Sequence, residues 1–557
     1  MKRPLIGLTI CIACLVSSNL QAIAFDVRKF GATVNDGTDD RAAIQAAIDA
    51  ACVEVAAGTL DVSIYFAPGV FDLFKGPEPA PDEPWVILSL GCGGFTMLSD
   101  PVSEPGGQST LRVADGQGAY EALLGAPSFA QRIDGFTIRD LTFNGNGTNN
   151  PILAGDDEFD DLLREKRHAL RVYAGDDVVI ETSRFTDWRT VNVLTLNGVD
   201  VANATILGNR FDLLGQTPAT GPDWDHSTIY TDCDGALIED NVIIGRAPGN
   251  FGIRAGIETH GPNQTVSKNL IFSMTTGINA TGVSVLGSDG LLIESNRIVL
   301  AADGIRLWAF EVAGNVPGEP VLRNAIIRDN RIEMHTTAWR TTQDAFDQPN
   351  RGISLVGDSD GVIENLTLEN NTIVFDDYRD TRVYDRGSAG IRLVPDIVTD
   401  LPIDGLTISG NTIQDALATA IEVGSTLPDG AIIQNNRIIN AGLGSGGTVP
   451  ALNKSALSIC GESTDVDVLD TCIIDAEPSG PRLAQAFLLQ ATSLGGNRLL
   501  DTDIELAGGS LTTILTIEPL GAPWLVGFAG SSCPSLFSDG FEIGDFSNWS
   551  SATLPGG

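Results

Sequence analysis

One spacing of apolar and polar positions recurs along most of the chain: apolar, two polar or small residues, a marked position, one residue, then apolar. It runs through Ile206…Asn209-Arg210-Phe211, Ile238…Asn241-Val242-Ile243, Val266…Asn269, Ile293…Asn296-Arg297-Ile298 and Ile327…Asn330-Arg331-Ile332. Leu368…Asn371-Thr372-Ile373, Ile408…Asn411-Thr412-Ile413 and Ile433…Asn436-Arg437-Ile438 follow, and Leu494…Asn497-Arg498-Leu499 reads as a last turn of the same repeat. Ile138…Leu141-Thr142-Phe143 and Ile180…Ser183-Arg184-Phe185 keep the frame without Asn. The shortest steps are 25 residues (Asn411 to Asn436) and 26 (Ser183 to Asn209). Such a period, built from strands, is that of a β-solenoid. An Asn at each stacked corner can bond the Asn above and below, and so satisfy buried polar groups. The shared frame predicts one ladder from Asn209 to Asn436.

A second strand motif precedes many of these units: Gly256-Ile257-Glu258-Thr259-His260, Gly304-Ile305-Arg306-Leu307-Trp308, Gly352-Ile353-Ser354-Leu355-Val356 and Gly390-Ile391-Arg392-Leu393-Val394, with Ala420-Ile421-Glu422-Val423 fitting too. Its period of 2 places Ile inside and the next residue outside. Each coil therefore has three short strands, one starting Gly-Ile, one before the Asn and one after it. The 557 residues are too many for one ordinary core unless the chain is a repeat protein.

Charge narrows the partners. The formal net charge is −38, and only six of the 34 basic residues are Lys. A nucleic-acid backbone or an anionic membrane would be repelled. A local Arg cluster can still receive acidic sugars. Residues 1–24 read as a secretory signal peptide, with Lys2 and Arg3, an apolar stretch over Leu5–Val16, and the small-x-small site Ala22-Ile23-Ala24. No later segment is long and apolar enough to span a bilayer. The implied location is outside the cell or on its surface. There disulfides are expected, with Cys460–Cys472 the first choice and Cys52–Cys92 a second.

Phe25-Asp26-Val27-Arg28-Lys29-Phe30-Gly31-Ala32, then Asn35-Asp36-Gly37-Thr38-Asp39-Asp40 and Ala42-Ala43-Ile44-Gln45-Ala46-Ala47-Ile48, closely resemble the N-terminal motif of the pectate lyase superfamily. The branch in question carries rhamnogalacturonase-like and epimerase-like domains. The resemblance implies an all-β, right-handed parallel β-helix closed by an N-terminal capping helix. The residues fit independently: Thr38 or Asp39 can N-cap, and Ala43, Ile44, Ala47, Ile48 and Ala51 form an apolar stripe. The domain reading is a cap with first coils over 25–130, the β-helix over 131–515 and a tail over 516–557. In that tail, Ser535-Leu536-Phe537-Ser538-Asp539-Gly540-Phe541-Glu542 and Asn548-Trp549-Ser550 look like a terminal motif of secreted bacterial proteins. A surface-association tag and a plain tail both remain open.

In the enzymes it resembles, the Gly-Ile sheet holds the substrate groove. Long stretches enter those strands at 144–167, 212–226, 333–350 and 375–388, and leave them at 311–322 and 395–403, as expected of a binding face. Outward positions read as Arg171 and Tyr173, Tyr230 and Asp232, Glu258 and His260, Asn279 and Thr281, Arg306 and Trp308. Stacking geometry puts Asp232 and Glu258 about 8 Å apart. That spacing suits an inverting glycosidase pair. Asp232, Glu258 and His260 are the catalytic candidates. Arg171, Tyr173, Trp224, His226, Tyr230, Arg306 and Trp308 are the substrate-binding candidates, with the two Trp able to stack on sugars. A lyase needs a base and a neutraliser for the uronate carboxylate; His260, Tyr230 and Arg306 can serve, and Ca²⁺ is the alternative neutraliser, although no EF-hand loop occurs. Tyr230-Thr231-Asp232, Thr259-His260-Gly261 and Ile305-Arg306-Leu307 are similar to polygalacturonase elements, but the paired-Asp element between the first two is missing; Gly175-Asp176-Asp177-Val178 comes too early and reads as a turn. Two functions compete: cleavage of an acidic polysaccharide by hydrolysis or β-elimination, and non-catalytic glycan binding as an adhesin-type solenoid. Convergence of acids and bases in one groove would favour the first.

Overall fold

The computed structural model describes residues 22–80, 83–99, 109–150, 166–188, 190, 192–212, 227–245, 255–281, 288–309, 320–335, 350–357, 362–376, 388–394, 402–427, 430–442, 455–475, 483, 485–489, 492–506, 515–517, 520–521 and 524–528. The chain forms two compact units, 1–246 with 250–257, and 247–249 with 258–557.

The first unit opens on the strand Ile23–Asp26, which begins ahead of the cleavage position read from the sequence and pairs in parallel with Val62–Phe66. The helix Arg41–Ala56 buries Ile44, Ala47, Ile48 and Ala51, the stripe expected of a cap. Asp40 takes the N-cap position without a side-chain bond to the helix, its Oδ1 accepting from Thr33 N–H at 2.7 Å. Asp39 Oδ1 instead accepts from the backbone N–H groups of Arg41 (3.0 Å) and Phe74 (3.1 Å). A Cys52–Cys92 disulfide, with Cα atoms 5.7 Å apart, ties this helix to the chain ahead of the strand Phe95–Ser99. The first-choice pair is corrected. Cys472 is disulfide-bonded, but Cys460 carries a thiol 3.0 Å from Ser458 Oγ. Cys460 follows the strand Ser455–Ile459 and Cys472 opens Cys472–Asp475, with the strand Asp467–Leu469 and two corners between them. They lie on different faces of one coil, and a disulfide needs Cα atoms within about 7 Å.

Each coil has the three predicted strands. In the first unit, His168–Asp176, Val179–Glu181 and Arg184–Thr186 stack in parallel on Asn192–Ala202, Thr205–Leu207 and Arg210–Asp212. Register is strict where apolar residues face in: Ile180 lies against Ile206, and Phe185 against Phe211. Phe143, Phe185 and Phe211 stack nearly face to face at 5.2 and 4.8 Å. In the second unit the Gly-Ile strands Asp303–Ala309, Arg351–Gly357, Ala389–Leu393 and Thr419–Val423 pair in order, with Ile305, Ile353, Ile391 and Ile421 in one inward row.

The Asn residues form ladders. In the first unit Asn209 donates from Nδ2 to Ile180 O and to Asn241 Oδ1, and Asn241 Oδ1 also accepts Asn209 N–H. In the second, Asn269, Asn296, Asn330, Asn371 and Asn411 each pass the side-chain bond to the next, ending on Asn436, at 3.0 Å between side chains. All are at most 1% exposed. The residue before each has positive φ, as in Lys268 (54°), Asp329 (56°) and Asn435 (54°), which turns the corner and aims the next side chain inward. Asn497 does not join. Arg498 aligns with Asp467, so Asn497 stands one corner earlier, where its Oδ1 accepts Val466 N–H and its amide donates to Ser463 O. Thr471 and Thr502 occupy the ladder corner of the last coils, because Cys472 aligns with Asp503.

The Gly-Ile strands depart from simple alternation. A Cβ on Gly277 would sit 2.6 Å from Ile298 Cγ2, an inward side chain, and one on Gly390 would sit 2.5 Å from Ile413 Cγ2. Gly and Ile both face in. The residue before Gly therefore joins the outward face, three positions from the residue after Ile. Only Gly fits where the coil wall approaches this closely.

Candidate active site on the Gly-Ile sheet

In the second unit the paired inward Gly and Ile bring Asp303 beside Arg306: the two form an ion pair, with Asp303 fully buried. Thr276, Asp303 and Arg351 share one outward row, and Asn279, Arg306, Ser354, Arg392 and Glu422 share the next. The Arg306 guanidinium lies 5.6 Å from the Trp308 ring centre. Arg392 Nε donates to Glu422 Oε2 at 3.1 Å. Asn279 Oδ1, Asp303 Oδ1 and Ser354 Oγ are buried and lack a partner among the described residues. Such atoms are costly unless something polar reaches them.

Glu258 and His260, at the end of the strand Ala255–His260, open this unit. His260 Nε2 lies 3.2 Å from Glu258 Oε1. They were read as solvent-facing; at 7% and 8% exposure they are instead nearly enclosed. This contact to the Glu258 carboxylate orients the imidazole.

The first unit has its own cluster. His168 comes before two inward residues, Ala169 and Leu170, and Arg171 faces out. His168 Nδ1–H donates to Asn192 O at 2.6 Å, and Arg171 Nη1 donates to His168 Nε2 at 3.0 Å. Arg171 Nη1 also reaches Glu121 Oε1 at 2.7 Å, and Tyr173 Oη donates to the same oxygen at 3.2 Å. Burial pushes the Glu121 carboxyl up to about 7, although Arg171, Tyr173 and Lys166 pull the other way. Burial, and then Arg171, hold His168 well below the usual imidazole range, so it is neutral. Burial and Glu121 raise the Tyr173 phenol. Tyr230 lies in the row of Arg171 and Thr195, and Asp232 opposite Asn197, both half-buried. Asp232 belongs to the first unit, Glu258 and His260 to the second. Trp224 and His226 lie outside the described residues. Asp177, with φ 56°, confirms the turn reading of Gly175–Val178.

Strict alternation hides Asp303, Arg351 and His168, which the two successive inward residues leave on the outward face; Glu121 sits just before the strand Ala122–Gly125 and carries no motif. The Gly or Ala before the inward Ile or Leu was the available signal.

Residues 255–469 match the family described as the right handed beta helix region. Mannuronan C5-epimerase AlgE6 of Azotobacter vinelandii is 34% identical over 128 residues, 22% of this chain and 13% of that protein. AlgE4 of the same organism is 31% identical over 128 residues, 22% of this chain and 20% of that protein. The chain thus spans a small part of the curated relatives it matches. The tailspike protein of E. coli bacteriophage HK620, solved with a pentasaccharide, superposes with a TM-score of 0.59 at 14% identity, over 91% of this chain and 78% of that one. With the parallel coils and the Asn corners, these likenesses identify the fold as a right-handed parallel β-helix.

Proposed function

We propose that this chain is secreted and acts on an acidic, uronate-containing polysaccharide by removing the proton beside a uronate carboxylate. The Glu258–His260 pair carries the reading: a nearly enclosed imidazole, oriented by a carboxylate 3.2 Å away, is a positioned base. Arg306 supplies the cation that a sugar carboxylate needs as charge develops, and Trp308 a face for the ring. The partial likeness to mannuronan C5-epimerases supports a uronate polymer as substrate. Loss of that proton leaves a carbanion stabilised by the carboxylate. It collapses either by expelling the glycosidic oxygen, as in β-elimination, or by taking a proton on the other face, as in epimerisation. The tail motif at 535–550 would hold the secreted protein at a surface.

Polyuronates incubated in deuterated water, with and without Ca²⁺, test this. Incorporation of deuterium next to the carboxylate, or growth of unsaturated uronate absorbance, is the expected result. His260→Ala and Glu258→Gln should each lower the rate about 100-fold or more. New reducing ends without either signal would mean hydrolysis and would sink the proposal. Binding without turnover would leave the glycan-binding solenoid.

A further inference from the structure

Asp303 is a buried charge on the Gly-Ile sheet to which the proposed reaction gives no role. Among the outward residues of the strands Thr276–Thr281, Asp303–Ala309 and Arg351–Gly357 it is the one carboxylate. Its Oδ2 accepts from Arg306 Nη2, and its Oδ1 is buried without a partner among the described residues. The pair is lopsided: the Asp303 side chain is 1% exposed and that of Arg306 12%. The carboxylate is therefore closed to a ligand, and Arg306 carries the exposed surface of the pair.

The strand fixes this contact. Gly304 and Ile305 both face in, since a Cβ on Gly304 would sit 2.5 Å from Ile332 Cγ2. That leaves Asp303 and Arg306 as neighbours on the outward face. Trp308, the next outward residue, has its ring centre 5.6 Å from the Arg306 guanidinium, within cation–π range. Arg306 is thus held from both directions along its own strand. In the adjoining coils it lies in register with Asn279 and Ser354, which carry no charge. A buried carboxylate loses its hydration, and the attraction of its partner rarely offsets that loss by much. What the pair supplies is orientation: a long, flexible side chain is set in place before a ligand arrives.

We propose that Asp303 is the positioning residue for Arg306. It holds the guanidinium where negative charge builds as the uronate loses its proton, and its own negative charge weakens the grip of Arg306 on the ground-state carboxylate. The inference rests on the proton-removal reading above and adds to it a residue that touches neither the sugar nor the base.

Steady-state rates on polymannuronate, polyguluronate and polygalacturonate test it, read as deuterium incorporation or unsaturated-uronate absorbance, whichever the wild type gives. Asp303→Asn keeps the volume and an acceptor but not the charge. Its kcat should fall about tenfold or more while KM stays level or drops. Asp303→Glu keeps the charge, and so a paired Arg306, should the Asn variant fail to fold. By shifting the carboxylate it should also lower kcat, with KM within about twofold of wild type. Arg306→Ala should lose more than either, and adding Asp303→Asn to it should cost nothing further, because a positioning residue acts only through its partner. A residue that merely held the strand would raise KM, or would add its own loss to that of Arg306→Ala, and either result overturns the proposal. So does a wild-type kcat in either Asp303 variant, and so does loss of the fold in both, which would mark Asp303 as structural. These outcomes leave the proton-removal reading standing as long as Arg306→Ala is impaired. Wild-type rates in Arg306→Ala, or no turnover of any of the three polymers by the wild type, overturn both.

Discussion

Glu121 and His168 are buried side by side and pull stability in opposite directions with pH. The Glu121 carboxyl sits at about 7 when folded, against a usual 4.5, so the folded state holds its proton more tightly. Its contribution is present at low pH and is lost as pH rises from about 4.5 through 7. His168 is held neutral, below its usual 6.5, so the unfolded state binds that proton better and stability is lost as pH falls below 6.5. Glu121→Gln removes only the first slope. Urea midpoints of wild type and variant should diverge with pH: the variant gains on wild type between 4.5 and 7. A pH-independent difference would show that Glu121 is ionised throughout. These two residues were also the ones least legible in the sequence. Arg171 and Tyr173 were found because they alternate along one strand. His168 was missed because Ala169 and Leu170 both turn inward, and Glu121 because it comes from the neighbouring coil, where nothing in one-dimensional spacing points to it.

At the scale of the element, the Asn corner was the clearest signal, and its one failure is instructive. Asn330 makes four bonds: Nδ2 to Ile293 O and Asn371 Oδ1, and Oδ1 to the backbone and side-chain amides of Asn296. Asn330→Leu keeps the volume and strands the Asn296 N–H and the Ile293 carbonyl. It should cost about 1–3 kcal/mol, read as a lower urea midpoint at unchanged slope. A neutral effect would mean water replaces the amide. Asn497 fits the same frame yet sits at the preceding corner. Both corners are turned by a positive-φ residue followed by a strand, Gly496 (74°) in one case and Asp470 (45°) in the other. Identical local geometry demands similar local sequence, and only stacking register tells the corners apart.

Across the whole chain, charge sets how any acidic glycan arrives. With 72 acidic and 34 basic residues, long-range repulsion slows a polyanion, while hydrogen bonds and ion pairs at any contact are short-range. Raising ionic strength shortens the Debye length from about 30 Å at 0.01 M to about 8 Å at 0.15 M. Association rates with a polyuronate, followed by stopped flow or surface binding, should therefore rise with salt over this range. A basic polysaccharide binder would show the reverse, and a falling rate here would point to an attractive field at the groove. The stacked coils themselves were evident from spacing and the cap motif. The reaction was not, because outward strand positions are polar in any solenoid and only the observed pairing of Glu258 with His260 separates an oriented base from a wetted surface.

Successive ladder residues of the second unit are 27, 34, 41, 40 and 25 positions apart in the chain, yet every neighbouring pair of amides meets at 3.0 Å. The coil thus counts layers, not residues. A lineage can lengthen or trim what lies between two rungs without moving either, so related genes should differ by insertions and deletions there while keeping the rungs. The same freedom makes those stretches the natural place to graft new recognition loops in the laboratory.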